Sequence, residues 1–502
     1  MNWNALLPLL VVLSSFLAGL IIFFLPETRH KTRITLNLLA AVFKLVLVGI
    51  MLWGVFHGHQ YETRLAFLPG LELVLKADAL ALLFVTLSSG LWLLTTIYAI
   101  GYLEGSPHRS RFFGFFSLCV TSAVGVALAG NLITFLLFYE MLTLATYPLI
   151  VHRGNEVSRK AGKTYLIYTM SGGVLLLIGT VWLYSITGTL EFTARGVVAS
   201  SLDSYGQSLV IIFVLLISGL GVKAALIPFH GWLPQAMVAP APVSALLHAV
   251  AVVKSGAFGI VRVVNDIYGV EVANNLGVTM PLAIVAGITI IYGSVRAIFQ
   301  DDLKRRLAFS TVSQVSYIVL GIAIVGPMAT IGGLIHLVHQ GVMKITLFFC
   351  AGNLAETLGI HKISEMDGVG KRMPWTMAAF TIGAFGMMGI PPLAGFISKW
   401  YLGVGAVNTG QYWVLWVLVG SSLLNAIYFL PIIYAAWFKP ISRAWPDERD
   451  FKQLKWKAET AWALLLPPVI TALLTLLIGL FASAPFSPLK WVQFITFQEY
   501  QP

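Results

Sequence analysis

The sequence predicts an all-α polytopic membrane protein with about fourteen transmembrane helices. Of its 502 residues, 58% are hydrophobic and only 11% are charged, which is far more apolar than a soluble protein. Apolar runs long enough to cross a hydrocarbon core of about 30 Å recur along the whole chain. Lysine and arginine collect in alternate loops, as the positive-inside rule requires. The net charge of +11 is therefore a sign of topology, and we expect no nucleic-acid partner.

The candidate spans alternate in direction, and the charges orient them. They cover residues 5–25, 34–56, 77–103, 112–130, 131–151, 162–187, 209–236, 241–264, 280–299, 305–326, 331–351, 376–405, 411–438 and 459–483. With the N-terminus outside, most loop lysines and arginines become cytoplasmic, and Arg64, Lys76, Arg195, Arg262 and Lys490 lie at the other side. The N-terminal residues contain no basic region or cleavage pattern, so we expect the first span to be retained. These features predict a multi-pass protein of the cell inner (plasma) membrane.

The first three helices, residues 1–111, are plain except for Lys44 near the middle of span 34–56. This lysine either has a structural partner or belongs to a conduction path, and the sequence favours neither. The external segment 57–76 contains His57, His59 and Glu72, which would suit a metal, but a solvated loop is the preferred interpretation. Cys119 and Cys350 fall in spans, where we read them as small apolar residues without a disulfide or metal role.

Span 131–151 carries Glu140 near mid-depth. Burial favours the neutral form of a carboxyl group unless a cation lies nearby, so a partner is implied. We choose Lys223, with a purely structural pairing as the alternative.

The stretch 221–254 is the most informative part of the chain. An interior lysine costs about 2.5 to 3.5 kcal/mol on insertion scales, and Pro228 removes a backbone donor where lipid offers no replacement. Non-helical backbone at membrane depth is tolerated where it is buried in protein or lines a wet cavity, so the break after Lys223 predicts a hydrated path. The next span is predicted as an unbroken helix with His248 and Lys254 on different faces.

A second group of ionisable residues follows in span 331–351, which contains His336, His339 and Lys344. The two histidines are neighbours on one helix face, which suits a proton relay better than a metal pair because no carboxylate or cysteine accompanies them. Span 376–405 is interrupted by Pro391 and Pro392, and Lys399 follows this second break.

The two breaks predict an internal repeat. Each broken span is the fourth of a five-helix set, residues 112–266 and 280–439, and the two sets run in opposite directions. This is the arrangement of two inverted repeats, each with a broken helix. Residues 440–502 are read as a basic cytoplasmic link followed by a last transmembrane helix.

Several segments together identify a resemblance. They are YEMLTLATYPLI, VKAALIPFHGWLPQAMVAPAPVSALLHAVAVVKSG, QDDLKRRLAFSTVSQVSY, HLVHQGVMKITLFFCAG and GIPPLAGFISKWYL. This pattern resembles the antiporter-like subunits shared by respiratory complex I, membrane-bound hydrogenases and multisubunit Mrp sodium/proton antiporters, and in length the chain is most similar to the Mrp D-type component. The resemblance implies fourteen helices, two inverted repeats and a charged mid-membrane axis. It maps the family's ionisable positions to Glu140, Lys223, Lys254, Lys344 and Lys399.

Ion translocation is the function we predict. Protons would pass along Lys223, Lys254 or His248, and Lys344, and leave at Lys399, with His336 and His339 as relay groups. No nucleotide loop, cysteine cluster or haem motif is present, so no cofactor or catalytic centre is expected, and the energy must come from an ion gradient or from partner membrane subunits. Sodium is a second candidate ion. The alternatives are a redox-driven pump subunit, a transport-inactive scaffold, and an enzyme acting on a lipid-linked substrate.

Overall fold

A computed structural model describes residues 3–441, 445 and 459–500. The predicted basic link at 440–458 therefore lies largely outside the described residues. The helices are α1 Trp3–Phe23, α2 His30–Phe56, α3 Ala79–Tyr102, α4 Arg109–Leu128, α5 Leu132–Ile150, α6 Glu156–Thr187, α7 Leu202–Ala224, α8 Trp232–Gln235, α9 Ala241–Ala249, α10 Val252–Arg262, α11 Val270–Asn275, α12 Thr279–Ile298, α13 Leu303–Ala323, α14 Pro327–Leu358, α15 Val369–Arg372, α16 Pro374–Met388, α17 Ala394–Asn408, α18 Trp413–Phe438, α19 Trp462–Leu480 and α20 Pro488–Tyr500.

The all-α polytopic fold class is confirmed. Within the described residues, thirteen helical segments are long and apolar enough to cross a membrane. The one remaining predicted span, 376–405, is divided between α16 and α17, which have 15 residues each and are too short to cross alone. The inverted symmetry of 112–266 and 280–439 stays a prediction.

The first predicted break is present. Helix α7 ends where Ala225 adopts a left-handed conformation with φ 57°, and the Leu226 amide returns to the Gly221 carbonyl at 2.9 Å. The next donor, the Ile227 amide, leaves its own helix and binds the Thr289 hydroxyl on α12 at 3.2 Å. Pro228 has no amide to offer, so the chain continues as a short 3₁₀ turn into α8.

The prediction that Lys254 lies on an unbroken helix was wrong. Helix α9 stops at Ala249, and α10 begins only at Val252. The amides of Val250 and Ala251 both bind the Leu246 carbonyl, at 3.1 and 2.9 Å. Valines surround the break, and β-branched side chains are restricted in a helix, which lowers the cost of interrupting it here. Lys254 consequently lies in the first turn of α10.

The predicted solvated loop at 57–76 is a β-hairpin. Strands β1 Glu62–Leu68 and β2 Leu71–Lys76 pair in antiparallel register, with Glu62 opposite Lys76. Arg64 binds Glu72 across the strands at 3.0 Å and reaches Glu191 at 2.9 Å, and these hydrogen bonds hold the pKa of its guanidinium above the usual value. The described residues contain no cluster of three metal-ligating side chains, so the alternative of a metal site at His57, His59 and Glu72 has no support here.

The helices that carry most of the ionisable residues form the centre of the bundle. Every residue in the apolar windows of 241–268, 303–323 and 327–358 is buried. A helix at the end of the chain, α20, was not predicted, and it packs against the start of α3 through a 2.9 Å bond from the Trp491 indole to the Ala79 carbonyl. The two cysteines are free and buried, as expected of apolar core residues.

Candidate functional site

Lys223 lies in the last turn of α7, directly before the first break. Its side chain is fully buried, and its ammonium donates a hydrogen bond to the Tyr139 carbonyl of α5. The same ammonium lies 3.3 Å from the centre of the Tyr139 ring, a distance at which the aromatic face stabilises a cation. The Lys223 ammonium is thus bound by the carbonyl and the aromatic ring of Tyr139 and not by a carboxylate.

Glu140, the predicted partner, is the neighbour of Tyr139 and interacts with Lys223 electrostatically. In the described structure neither carboxylate oxygen accepts a hydrogen bond, and the pair is not in ion-pair contact. The carboxylate packs instead against Gly173 of α6, where an added Cβ would come within 2.4 Å of Oε1. A Cβ at position 173 would therefore displace the Glu140 carboxylate, and glycine leaves that carboxylate room beside α6.

Lys254 joins the two halves of the bundle. The start of α10 lies against the end of α7, since a Cβ on Gly256 would lie 2.3 Å from the Ala224 amide. The fully buried Lys254 ammonium donates to the Leu337 carbonyl of α14 at 2.8 Å. It is thereby next to His336, with which it interacts electrostatically.

The histidines of α14 lie inside the same polar region. His336 Nδ1 makes a 2.8 Å hydrogen bond with the Ser398 hydroxyl, one residue before Lys399. The remaining ring nitrogens of His336 and His339 have no hydrogen-bond partner in the described structure, and the same is true of the amides of Gln314 and Gln340. Buried polar groups of this kind are normally satisfied by internal water. The predicted wet relay face therefore fits this region.

His248 occupies a different position. It is fully buried and stacks on the Phe348 ring of α14, with a centroid distance of 4.5 Å. It interacts electrostatically with Lys344, four residues before Phe348, so of the axis lysines it belongs with Lys344 rather than Lys254.

Lys344 and Lys399 are joined by an unbroken chain of hydrogen bonds. Lys344 donates to the Ser310 hydroxyl at 2.7 Å, and Ser310 is bonded to the Tyr428 hydroxyl at 2.8 Å. Tyr428 contacts the Asn425 side-chain oxygen at 2.6 Å, and the Asn425 amide donates to the Met387 carbonyl at 2.9 Å. That carbonyl also accepts from Lys399 at 3.0 Å.

Lys399 closes the second break. From α17 it reaches back to the last carbonyls of α16, Met387 and Met388, and it donates to the Ser422 hydroxyl at 2.9 Å. A cation is favoured at the C-terminal end of a helix because the last carbonyls have no partner within the helix. Pro391 and Pro392 prevent α16 from continuing, and they leave these carbonyls to Lys399.

Sequence reasoning missed the residues between the lysines, namely Ser310, Tyr428, Asn425 and Ser398. One signal was available for Asn425 and Tyr428, because they lie three apart, and so on one face, in an otherwise apolar span. The serines gave none, since a lone serine in a transmembrane helix usually bonds its own main chain.

Comparison with known proteins gives consistent matches. A family described as "NADH:quinone oxidoreductase/Mrp antiporter, TM" matches residues 129–425, and "NADH-Ubiquinone oxidoreductase (complex I), chain 5 N-terminus" matches residues 70–113. The chain is 36% identical over 422 residues to the N-type subunit of the NADH-quinone oxidoreductase of Desulforudis audaxviator, covering 82% of each protein. It is 29% identical over 484 residues to the D-type component of the Na(+)/H(+) antiporter of Bacillus subtilis, covering 96% of this chain and 94% of that one.

A solved structure shares the fold along the whole chain. It is a chain of the Mrp complex from Dietzia sp. DQ12-45-1b, which superposes with a TM-score of 0.86 at 23% identity and covers 100% of this chain and 98% of its own.

Proposed function

The chain belongs to the NADH:quinone oxidoreductase/Mrp antiporter transmembrane family, and on that premise we propose that it translocates protons as one subunit of a multisubunit cation/proton antiporter. The observation that carries the proposal is the hydrogen-bond network that links Lys344 to Lys399, inside a bundle in which Lys223 and Lys254 are fully buried. Ionisable side chains inside a membrane mark proton relays. In this network the ammonium groups and the Ser310 and Tyr428 hydroxyls exchange protons, whereas the Asn425 amide and the Met387 carbonyl only hold them in position, so adjoining water completes the route to Lys399.

The contacts support one order of sites along the path. Glu140 and Lys223 form one end, Lys254 and His336 the middle, and Lys344 and Lys399 the other end. A shift of the Glu140 carboxylate toward Lys223 favours the charged lysine, and withdrawal favours release of its proton. The serial contacts α5 to α7, α7 to α10, α10 to α14 and α14 to α17 provide a route for that proton.

Partner subunits are part of the proposal. Pro228, Pro391 and Pro392 are exposed on the surface of the chain, although the breaks lie within predicted spans. Lipid does not tolerate exposed non-helical backbone, so we expect neighbouring membrane subunits to cover these sites. We further propose a plasma-membrane location with the N-terminus outside, sodium as the second exchanged ion, and two inverted repeats as the basis of the two breaks.

The test is replacement of Glu140, with proton movement followed by a pH-sensitive dye in everted vesicles that contain the whole complex. Glu140→Ala should abolish transport at normal expression, because Lys223 then loses the anion that favours its charged form. Glu140→Asp should retain partial activity, since the charge remains but its reach is shorter by one methylene. Glu271→Ala removes an exposed carboxylate on α11 and is the matched control. Full transport by Glu140→Ala would refute the proposal.

A redox-driven proton pump is the second candidate function, favoured by the 36% identity to the N-type subunit of an NADH-quinone oxidoreductase. Purification of the native complex separates the two. Visible absorbance from iron–sulfur or flavin groups in the complex would favour the redox pump, whereas sodium-driven proton movement by a colourless complex would favour the antiporter. A transport-inactive scaffold has less support, because Glu140, Lys223, Lys254, Lys344 and Lys399 all keep ionisable groups.

A further inference from the structure

Lys44 is a buried cation outside the axis. It lies near the middle of α2, its side chain is fully buried, and its ammonium donates to the Ser15 hydroxyl of α1 at 2.6 Å. It also lies 4.9 Å from the centre of the Trp92 ring on α3. Within the described part of the chain no carboxylate pairs with it. A lysine so placed is costly, and one neutral hydroxyl offsets little of that cost.

A proton route from Lys44 along α2 would end at Arg33, whose positive charge is permanent. Arg33 is on the same face of α2, eleven residues or about 20° away, and it is buried at the end of the helix, where it donates to Ser110 at 2.6 Å. An arginine does not release its proton at accessible pH, and its charge repels another cation. Proton exchange with Lys44 along α2 is therefore disfavoured.

Helix α3 offers a different route. The hydroxyls of Ser88 and Ser89 and the indole nitrogen of Trp92 are buried, and none has a hydrogen-bond partner in the described structure. At about 100° per residue, these three side chains cover a sector of about 100°, and Trp92, the one that contacts Lys44, lies within it. Hydroxyl and indole groups left without protein partners in a buried site are normally satisfied by water. They form a polar strip on the helix that separates Lys44 from the axis.

Ser88, at one end of this strip, lies at the depth of Lys254. Helices α3 and α10 run antiparallel, because Asp78 bonds Arg262 at 2.9 Å and Phe84 contacts Phe258 with a centroid distance of 5.1 Å. One further turn along each helix brings Ser88 level with Lys254. Trp92, which contacts Lys44, and Phe84, which contacts α10, lie about 80° apart around α3, and Ser88 lies between them. Lys44 and Lys254 consequently approach neighbouring faces of α3 at depths about one turn apart.

We propose that Lys44 is a further proton-holding site, connected to Lys254 across α3 by water bound to Ser88, Ser89 and the Trp92 indole, an inference that rests on the proposed function. The Lys254 ammonium gives a proton to the adjoining water, each water passes one of its own protons on, and the Lys44 amine accepts the last. Only N–H and O–H bonds change, and one positive charge moves. Because like charges disfavour each other, the two lysines alternate in carrying the proton.

The experiment compares variants of the whole complex in everted vesicles, with proton transport measured by a pH-sensitive dye. Lys44→Met and Lys44→Arg should both slow transport by at least about tenfold, since neither side chain exchanges a proton at accessible pH. The double variant Ser88→Ala/Ser89→Ala should slow it severalfold. That variant removes no protein hydrogen bond, so folding is preserved. Ser122→Ala is the matched control, because Ser122 is equally buried but bonds its own helix at Leu118.

The outcomes separate this inference from the proposed function. Wild-type transport by Ser88→Ala/Ser89→Ala would overturn the route across α3. A defective Lys44→Met with a fully active Lys44→Arg would make Lys44 a fixed donor to Ser15 and would also overturn it. If Glu140→Ala stops transport while both Lys44 variants are normal, only the Lys44 site is wrong. If Glu140→Ala transports normally, the proposed function itself fails.

Discussion

Replacement of Lys399 by arginine gives the sharpest test of a proton carrier in this chain. The ammonium makes three hydrogen bonds, to Met387, Met388 and Ser422. Lys399→Ala or Lys399→Met would leave the Met388 carbonyl without its donor, whereas the Met387 carbonyl would keep the Asn425 amide, and an unsatisfied buried group costs about 1 to 3 kcal/mol. Loss of transport in those variants would therefore mix lost chemistry with destabilisation of that size.

Arginine separates the two effects. A guanidinium keeps the positive charge and has five donors for the same carbonyls, so α16 and α17 should remain tied together. Its ordinary pKa is about 2 to 3 units above that of lysine, so the deprotonated fraction falls by about 100- to 1000-fold at any pH. We expect Lys399→Arg to assemble normally and to transport protons at about 1% of the wild-type rate or less.

The measurement is the initial rate of dye quenching in everted vesicles, divided by the amount of assembled complex on a native gel. Lys371→Arg, on the exposed turn before α16, is the matched control and should behave as the wild type. Lys455 in the basic link would be another candidate for this control from the sequence, but it lies outside the described residues. Transport by Lys399→Arg at the wild-type rate would show that Lys399 is a fixed countercharge, and the axis would have to end elsewhere.

Two further predictions concern the link to Lys399 and the orientation of the chain. Tyr428→Phe removes the hydroxyl between Ser310 and Asn425 and leaves the buried Asn425 oxygen without its donor, at a cost of about 1 to 3 kcal/mol. Transport per assembled complex should fall, whereas Tyr434→Phe on the exposed face of α18 should leave transport unchanged. Normal transport by Tyr428→Phe would remove this link from the path. A cysteine label at the exposed position Arg159 should react only from the cytoplasm, and one at the exposed position Ser200 only from outside. The neighbouring Ser158 is fully buried, so a label there would not be accessible from either side. Labelling at Ser200 from the cytoplasm would reverse the orientation and contradict the span count.

The parts of the fold that the sequence predicted are those controlled by apolar length and by proline. Span boundaries follow from the thickness of the hydrocarbon core, and Pro228 and Pro391 stop helices through a missing donor that can be read directly from the sequence. The break before Lys254 left no such mark, because its valines are common in intact membrane helices and its geometry depends on packing. The hairpin at 62–76 was missed because its strands lie in a segment with charged residues, which favours the interpretation as a solvated loop.

The sequence predicted the ionisable residues of the candidate site but not the hydrogen bonds that connect them. A buried lysine is conspicuous in an apolar span, whereas each axis lysine has among its acceptors a main-chain carbonyl, a group that every residue possesses. For the same reason the sequence led us to pair Lys223 with Glu140, while the structure places the ammonium on the adjacent Tyr139 carbonyl. Long-range links such as the one from Ser310 to Tyr428 require the tertiary arrangement and carry no local signal.

Because these lysines donate to main-chain carbonyls, their affinity for protons depends on the relative positions of the helices. Lys223, Lys254, Lys344 and Lys399 each donate to a carbonyl of a neighbouring helix, and no side-chain substitution removes a carbonyl. The number of carbonyl acceptors around an ammonium changes only when one helix slides, rotates or unwinds relative to another. A small displacement of α16 or α7 at its break therefore alters how strongly a proton is held, and a proton that arrives or leaves exerts a force on the helix in return.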